Sequence, residues 1–167
     1  SDLDHADNII LPWHMFGRQG FKETPTLTLP NYTQKHRDPY AADVKGVLNF
    51  KCLVKPAKVT KAYVHGFEVS GGQQIWNASG KAFTYGQHRD AAFNAAPKLQ
   101  LNHYYVKSDA QFAAKTAKGS IGDSVFTASF KKTSSRHDML LRRLTEIERD
   151  TIKDDSIIKF AQAIGFH

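Results

Sequence analysis

The sequence predicts an α/β or α+β domain in which a mixed sheet is followed by a C-terminal helical segment. Two observations support this fold class. Short apolar and aromatic runs alternate with Gly, Pro, Asn and Ser up to Val106, and apolar residues recur with helical spacing beyond it. The sheet begins abruptly, so we expect a partial sheet whose earlier strands and covering helices are missing. We therefore expect a single domain over residues 1–167, or the C-terminal portion of one, strand-rich over residues 8–106 and helical over residues 107–165.

Four segments have the apolar and aromatic composition of strands. They are Asn8–Trp13, Leu48–Lys55, Lys61–Phe67 and Lys98–Val106. Two long stretches separate some of them, and loops of this length in a compact domain are typical of lids or binding segments, with simple disorder as the alternative. These predicted loops are Thr33–Gly46 and Ser70–Pro97.

Three segments have apolar residues at helical spacing. They are Ser108–Lys118, Ser135–Asp150 and Asp155–Ile164. The first begins with a capping box, because Ser108 precedes Gln111 by the required spacing, and it ends before Gly119, where a C-terminal glycine is expected. The last two segments predict an amphipathic helical pair.

Composition limits the classes of partner and the compartment. The formal net charge is +7, from 23 Lys and Arg residues against 16 Asp and Glu residues, which favours anionic partners such as nucleotides or an anionic membrane face. No nucleic acid partner is expected, because the basic run at Lys131 and Lys132 lacks interleaved aromatic residues. No apolar run approaches the roughly 20 residues of a membrane span, and the single cysteine, Cys52, cannot form an internal disulfide. We therefore expect a cytoplasmic location, with peripheral association at the inner face of the membrane as a further expectation.

The junction between the strand that contains His103 and the helix that Ser108 caps is the first candidate site. The free N–H groups and partial positive charge of a helix N-terminus, together with Lys107, suit an anion such as a diphosphate. The alternative is that His103 and the tyrosines beside it pack at a sheet edge while Lys107 is solvated. The residue types alone favour that alternative.

The second candidate site is the segment Leu11–Gly20, in which a strand end carries Trp13 and Phe16 into a loop with two glycines. Trp13 would provide a flat platform for a sugar, and core packing of both rings is an equally frequent alternative. His65 also ends a predicted strand before a glycine, and it pairs with His103 as a second strand-borne histidine. Zinc-ribbon, zincin, serine-hydrolase and phosphate-loop motifs are absent from the sequence, so those classes lack support.

Three blocks of the sequence carry a family resemblance. Leu11–Gly17 contains the pattern W-x-x-F-G, Lys51–Pro56 with a following histidine contains K-x-(apolar)-V-(basic)-P…H, and Leu101–Gly119 contains N-H-Y-x-x-K-S…F-x-x-K-x-x-x-G. In this order the blocks resemble those of bacterial glycosyltransferases of the family 2 type, which are related to the family 92 enzymes. The likeness extends over residues 7–164 and implies a GT-A-like fold.

This resemblance implies transfer of a sugar from a nucleotide-sugar donor to a saccharide or glycolipid acceptor, as in polysaccharide biosynthesis. It also implies a divalent cation, Mn²⁺ or Mg²⁺, held with the donor diphosphate by a D-x-D pair in an N-terminal nucleotide-binding half. Asp2 and Asp4 lie too close to Trp13 to match that pair, so we expect this half to be missing and the chain alone to be inactive. The sequence also departs from the F-G-S-x-G-H pattern of many relatives, with Arg18 and Phe21 at its third and sixth positions.

The resemblance assigns candidate residues to four roles. Contact with the metal is assigned to His103 and His65. Binding of the donor diphosphate is assigned to Lys107, Ser108 and Lys115. Binding of the acceptor is assigned to Trp13, Phe16, Gly17, Arg18 and Tyr104. The catalytic base is assigned to Glu23, the acid nearest the aromatic loop, because an inverting transfer needs a carboxylate. The alternative function is a non-catalytic, basic module that binds carbohydrate or a polyanion.

Overall fold

The computed structural model describes residues 3–37, 49–63, 65–72, 74–94, 97–118 and 136–166. Within these ranges the chain forms a mixed sheet, a two-stranded sheet and three α-helices, which confirms the predicted α/β or α+β class. The strands are β1 (Asn8–Phe16), β2 (Gln34–His36), β3 (Phe50–Val54), β4 (Val59–Ala62), β5 (Phe67–Val69), β6 (Gln74–Trp76), β7 (Ala82–Thr84), β8 (Leu101–Tyr104) and β9 (Thr151–Lys153). The helices are α1 (Asp109–Ala117), α2 (Arg136–Arg149) and α3 (Ser156–Ala163).

The chain forms two compact units, each built from two separated segments. The first unit comprises residues 1–14 and 38–103, and the second comprises residues 15–37 and 104–167. Strand β1 contributes to both, because its residues up to His14 belong to the first unit and the rest belong to the second. Neither unit is a continuous stretch of the chain.

Strand β1 organises the core of the first unit, because both of its faces are buried there. Successive strand residues point to opposite faces, so Ile9 and Leu11 pack together with Ala78 in one cluster. Ile10 points the other way and packs with Phe93 in a second cluster. A strand covered on both faces has a nearly continuous apolar sequence, and this explains why the segment lacks a clear two-residue alternation.

The neighbours of β1 in the first unit are β3, β6 and β8. The pairing with β3 is antiparallel and runs from Asn8 opposite Val54 to Pro12 opposite Phe50. The pairing with β6 is parallel, and β6 pairs in turn antiparallel with β7. Strands β4 and β5 form a separate antiparallel hairpin.

The side chain of Asn77 fixes the connection between β6 and β7. Its Oδ1 accepts hydrogen bonds from the backbone N–H groups of Ser79 at 3.0 Å and Lys81 at 2.9 Å, and its Nδ2 donates to the carbonyl oxygen of Phe93 at 2.8 Å. Asn77 is buried, and Gly80 in the same turn has a φ of +81°, which favours glycine. The buried amide therefore shapes the turn by replacing backbone hydrogen-bond partners.

Two sequence predictions for the first unit are wrong. The predicted strand Lys61–Phe67 is a hairpin instead, because β4 ends at Ala62 and β5 begins at Phe67. The predicted loop Ser70–Pro97 contains β6, β7 and two short 3₁₀ helices. Strands of three residues are too short for their two-residue period to be recognised in the sequence.

The other predicted strands are present with adjusted ends. Strands β3 and β8 lie inside the predicted segments Leu48–Lys55 and Lys98–Val106, and β1 continues beyond Trp13 to its end at Phe16. The predicted loop Thr33–Gly46 begins with β2, and its later part lies outside the described residues.

In the second unit, β2 pairs antiparallel with the end of β1, with Lys35 opposite Phe16, and on its other side with β9. Helix α2 lies against β2 and α1. Its buried residues follow the helical spacing that the sequence predicted. They are Leu140, Leu144 and Ile147.

Tilted and edge-on aromatic rings form a second part of this core. The ring centroid of Tyr104 lies 5.0 Å from that of Phe16 and 5.9 Å from that of Tyr32, which lies 5.3 Å from that of Phe21. The Tyr32 hydroxyl donates a hydrogen bond to the carbonyl oxygen of Lys107 at 2.6 Å, and burial raises the pKa of Tyr32. Phe16, an assigned acceptor residue, is fully buried in this cluster.

The helices confirm the sequence prediction closely. Helix α1 lies within the predicted segment Ser108–Lys118, α2 within Ser135–Asp150 and α3 within Asp155–Ile164. Ser135, the first residue of the predicted α2 segment, and Gly119, the glycine expected after α1, lie outside the described residues. Strand β9 separates α2 from α3 and was not predicted, because Thr151–Lys153 is again only three residues long. None of the helices that the structure describes is long and apolar enough to cross a bilayer.

Gly17 allows the side chain of Glu148 to pack directly on the backbone after β1. A Cβ atom at Gly17 would lie 2.7 Å from Glu148 Cγ, which is too close for two carbon atoms. The Glu148 carboxylate accepts hydrogen bonds from the Arg18 backbone N–H at 2.6 Å and from the Arg18 guanidinium at 3.0 and 3.2 Å. This bidentate pair therefore requires a glycine beside it.

We expect Gly17→Ala to destabilise the protein by about 1–3 kcal/mol, because the added methyl group must displace the Glu148 side chain and its ion pair. Gly86→Ala is the matched control, since a Cβ atom at Gly86 meets nothing within 4 Å. Urea unfolding, monitored by circular dichroism, measures the free energy of unfolding of both variants. Equal free energies of unfolding for the two variants would contradict the steric argument.

Candidate functional site

The first unit contains a cavity of about 610 Å³ beside the β4–β5 hairpin, which we call the hairpin cavity. Tyr63 and Phe67 reach it from the hairpin, Ile75 from β6, and Tyr85 from the 3₁₀ helix after β7. Its volume is within the range of small-molecule sites, about 300–1,000 Å³. The wall is mainly apolar and aromatic, with a few polar groups.

Local backbone features hold the aromatic wall in place. The hairpin turn is closed by a hydrogen bond from the Tyr63 backbone N–H to the Gly66 carbonyl oxygen at 2.8 Å. A Cβ atom at Gly66 would lie 3.3 Å from the Tyr85 hydroxyl, so glycine leaves room for that ring. The 3₁₀ helix that carries Tyr85 is capped by the Gln87 side chain, which accepts from the Thr84 backbone N–H at 2.9 Å.

Asn8, Glu68 and Gln74 contribute polar side chains to the lining of the cavity. The Asn8 Nδ2 donates to the carbonyl oxygen of Phe67 at 3.2 Å, whereas its Oδ1 has no hydrogen-bond partner in the part of the chain that the structure describes. Asn8 is only 1% exposed. A buried acceptor without a partner is uncommon in native proteins, and because this oxygen has almost no accessible surface, it is not open to a ligand in the cavity. The Glu68 carboxylate is exposed and accepts a hydrogen bond from the Tyr63 hydroxyl.

Trp13 forms a cluster with two histidines in the same unit. Its ring stacks on His103 with centroids 3.9 Å apart and an angle of 21° between planes, and it meets His65 edge-on at 6.2 Å. The Lys51 ammonium lies 6.0 Å from the Trp13 ring centre. His65 also lines the hairpin cavity, so this cluster and the cavity adjoin. The structure therefore brings together Trp13, His103 on β8 and His65, all of which were assigned roles from the sequence, and it corrects the prediction that His65 ends a strand, because His65 lies between β4 and β5.

The Cys52 thiol near this cluster is not suited to nucleophilic chemistry. Burial raises its pKa to about 11, so the thiol stays protonated at neutral pH. Its Sγ donates a weak hydrogen bond to the His65 carbonyl oxygen at 3.6 Å. Cys52 therefore has a packing role beside His65.

The residues assigned to the donor diphosphate lie in the second unit and have partners there. The Ser108 Oγ accepts from the Gln111 backbone N–H at 3.0 Å, which confirms the predicted cap. The Gln111 side chain accepts from the backbone N–H of Lys107 at 2.8 Å, one residue earlier than in a standard capping box. The Lys107 ammonium donates to Thr28 Oγ1 at 2.9 Å, and the Lys115 ammonium donates to the Tyr105 carbonyl oxygen.

A carboxylate of the chain itself lies at the N-terminus of α1. Asp109 is the first helical residue, and its two oxygens pair with Arg18 at 2.6 Å and Lys22 at 2.8 Å. The N-terminus of α1 is therefore already occupied by the Asp109 carboxylate and the two cations that pair with it. Arg18, assigned to the acceptor, also binds Glu148, whereas Glu23, assigned as catalytic base, is an exposed residue of the same unit.

Sequence reasoning missed the residues that define the hairpin cavity. Asn8, Tyr63, Glu68 and Tyr85 belong to no recognised motif and come from segments far apart in the chain. One available signal was Asn8 itself, because a polar residue directly before the apolar run of a buried strand needs an explanation.

No three His, Cys, Asp or Glu side chains are grouped as metal ligands among the described residues. A scan against protein-family models, a search of curated proteins and a search of solved structures each found no match.

The Asp109 ion pairs predict a specific pH dependence of stability. A hydrogen bond from Lys22 and its charge, and then the charge of Arg18, lower the pKa of Asp109 below its usual 3.8. Because this pKa is lower in the folded chain than in the unfolded chain, the carboxylate stabilises the fold above 3.8, and the contribution is lost as the pH falls through the folded-state pKa.

We therefore expect Asp109→Asn to be less stable than the unmodified chain at about pH 7, and the difference to narrow toward about pH 3. Urea unfolding across this range measures it. Lys22→Gln should lower the free energy of unfolding by less than Asp109→Asn does, and this loss should also narrow toward about pH 3. A difference for Asp109→Asn that does not change with pH would refute the ion-pair explanation.

Proposed function

We propose that this chain binds a saccharide in the hairpin cavity, and that it does so as the acceptor-binding part of a glycosyltransferase. The observation that carries the proposal is the composition of the cavity wall, in which Tyr63, Phe67 and Tyr85 line the cavity together with the polar side chains of Glu68 and Gln74. Aromatic faces pack on the C–H surfaces of sugar rings, and a few fixed polar groups orient the hydroxyls. The proposed location is the cytoplasm.

The Trp13 cluster supports the same class of ligand. Stacking on His103 holds the indole in a fixed orientation, and an ordered aromatic surface loses little entropy when a flat face of a ligand binds to it. His65 adjoins both this cluster and the hairpin cavity. A saccharide of more than one ring could therefore contact the cavity with one sugar and the Trp13 cluster with the next.

The described residues do not fit the divalent cation that the resemblance implies. His65 and His103 both contact the Trp13 ring, and the Lys51 ammonium lies near the same ring, which is unfavourable for a second cation. No step of the proposal depends on a cation for this reason. The resemblance supports the transferase part of the proposal, and the cavity supports the saccharide part.

Binding of neutral trisaccharides tests the saccharide part. We expect titration calorimetry with maltotriose, cellotriose and mannotriose to detect binding of at least one of them. We expect Tyr85→Ala to weaken that binding about tenfold, or about 1.4 kcal/mol, because it removes one aromatic face of the cavity. Phe160→Ala is the matched control, since Phe160 is 59% exposed on α3 in the other unit. Absence of binding by all three sugars, or an equal loss in both variants, would contradict the proposal.

Turnover tests the transferase part with the protein as its gene encodes it. Transfer of a labelled sugar from a nucleotide-sugar donor to the bound trisaccharide is measured as a function of acceptor concentration. We expect Trp13→Ala to raise KM for the acceptor about tenfold with kcat largely unchanged, because a platform binds ground state and transition state alike. Trisaccharide binding without transfer from any donor would favour the non-catalytic binding module.

A further inference from the structure

Trp13, Lys51 and His103 lie on one face of the sheet in the first unit. Lys51 lies opposite Leu11 in the β1–β3 pair, so the side chains of Lys51 and Trp13 point to the same face as diagonal neighbours. The His103 ring belongs to the same surface, because it stacks on the Trp13 ring. Strand β1 and its partners β3 and β8 therefore build this surface together, and His65 between β4 and β5 borders it.

Lys51 gives this surface a positive charge that no described carboxylate balances. Its side chain is exposed, its ammonium lies 6.0 Å from the centre of the Trp13 ring, and it forms no ion pair within the part of the chain that the structure describes. Lys61, by contrast, lies opposite Glu68 across the β4–β5 hairpin, so the carboxylate in the adjoining cavity wall already has a cation beside it. The surface around Trp13 therefore favours a negatively charged ligand, and the net charge of +7 has the same sign.

The polar groups of this surface suit a carboxylate that is held close to a flat ring. Each imidazole carries at least one N–H donor in either protonation state, the Lys51 ammonium carries three, and a carboxylate only accepts hydrogen bonds. In a uronic acid the carboxylate is attached directly to the sugar ring. A sugar that packs on Trp13 therefore places its carboxylate at the edge of the stack, where the flexible stem of Lys51 can bring the ammonium. A phosphate ester would place its charge farther from the indole.

We infer that the Trp13 cluster binds a uronic acid residue of the saccharide, with the sugar ring on Trp13 and the carboxylate bound by Lys51 and by the imidazoles of His65 and His103. This inference rests on the proposed saccharide binding and narrows the acceptor to an acidic saccharide. The neighbouring sugar in the hairpin cavity can be neutral, because the wall there is mainly apolar and aromatic.

Calorimetry with two matched pairs of trisaccharides tests the inference. The pairs are cellotriose with the glucuronic acid trimer of the same linkage, and mannotriose with the mannuronic acid trimer of the same linkage. The members of a pair share their rings and differ in the carboxylates. In at least one pair the acidic trimer should bind about tenfold more tightly than the neutral one at low salt. This advantage should shrink as salt is added, because the charge of an exposed lysine is screened.

Substitution of the lysine is the second arm. Lys51→Gln should bring the two affinities of that pair to within about twofold of each other, because it removes the charge and keeps a polar side chain. Lys51→Arg, which keeps the charge, should retain most of the preference. Lys118→Gln is the matched control, since Lys118 is an exposed lysine in the other unit, and it should keep the full preference. An unchanged thermal unfolding transition verifies that each variant is folded.

The outcomes separate this inference from the proposed function. Equal affinities within both pairs would overturn the inference and leave saccharide binding intact, whereas absence of binding by these four sugars and by maltotriose would overturn both. A preference for the acidic trimer that survives in Lys51→Gln would overturn the role of the lysine. Citrate binding as tight as that of the acidic trimer would show that the cluster recognises negative charge alone, which overturns the uronic acid assignment.

Discussion

Burial of both faces of β1 is the constraint on which the first unit depends. Because Ile9 and Ile10 point to opposite sides and both are buried, the hydrophobic pattern alone does not distinguish one face from the other. Two residues of the strand help to fix its register. Asn8 is the buried polar residue at its start, and Pro12 lacks the N–H group that a shifted pairing with β3 would require. Pairing resumes directly after Pro12, where Trp13 donates its backbone N–H to the Asn49 carbonyl oxygen at 2.8 Å.

The same strand position determines the geometry of the hairpin cavity. Asn8 holds the β4–β5 hairpin through a hydrogen bond to the carbonyl oxygen of Phe67. The side chain of the next residue, Ile9, packs in the core. A change that moved β1 by one residue would therefore alter the core and the cavity together. This coupling explains how a cavity lined by short strands can keep a defined shape.

The sequence predicted the features that depend on local patterns. The helices followed from the spacing of apolar residues, and the α1 cap followed from Ser108 and Gln111, because these signals lie within a few residues of one another. Short strands and the hairpin cavity could not be predicted in this way. The cavity combines residues as distant as Asn8 and Tyr85, and which of them meet is decided by strand pairing. The histidine pair illustrates what local sequence patterns can and cannot predict. Its members were identified from the sequence, but their common contact with Trp13 is visible only in the folded chain.

The turn built by Asn77 has a consequence for how the protein should be produced. Asn77-Ala78-Ser79 is an N-glycosylation sequon, and the atom to which a glycan would be attached is the Nδ2 that binds Phe93 in the buried turn. A glycan at this atom and the native turn exclude each other, because the amide is 2% exposed and the attached sugar has no room there. In a secretory host, oligosaccharide transfer to the nascent chain would compete with folding, and each modified molecule would be unable to form the β6–β7 connection. Synthesis in a compartment without oligosaccharyltransferase avoids this competition.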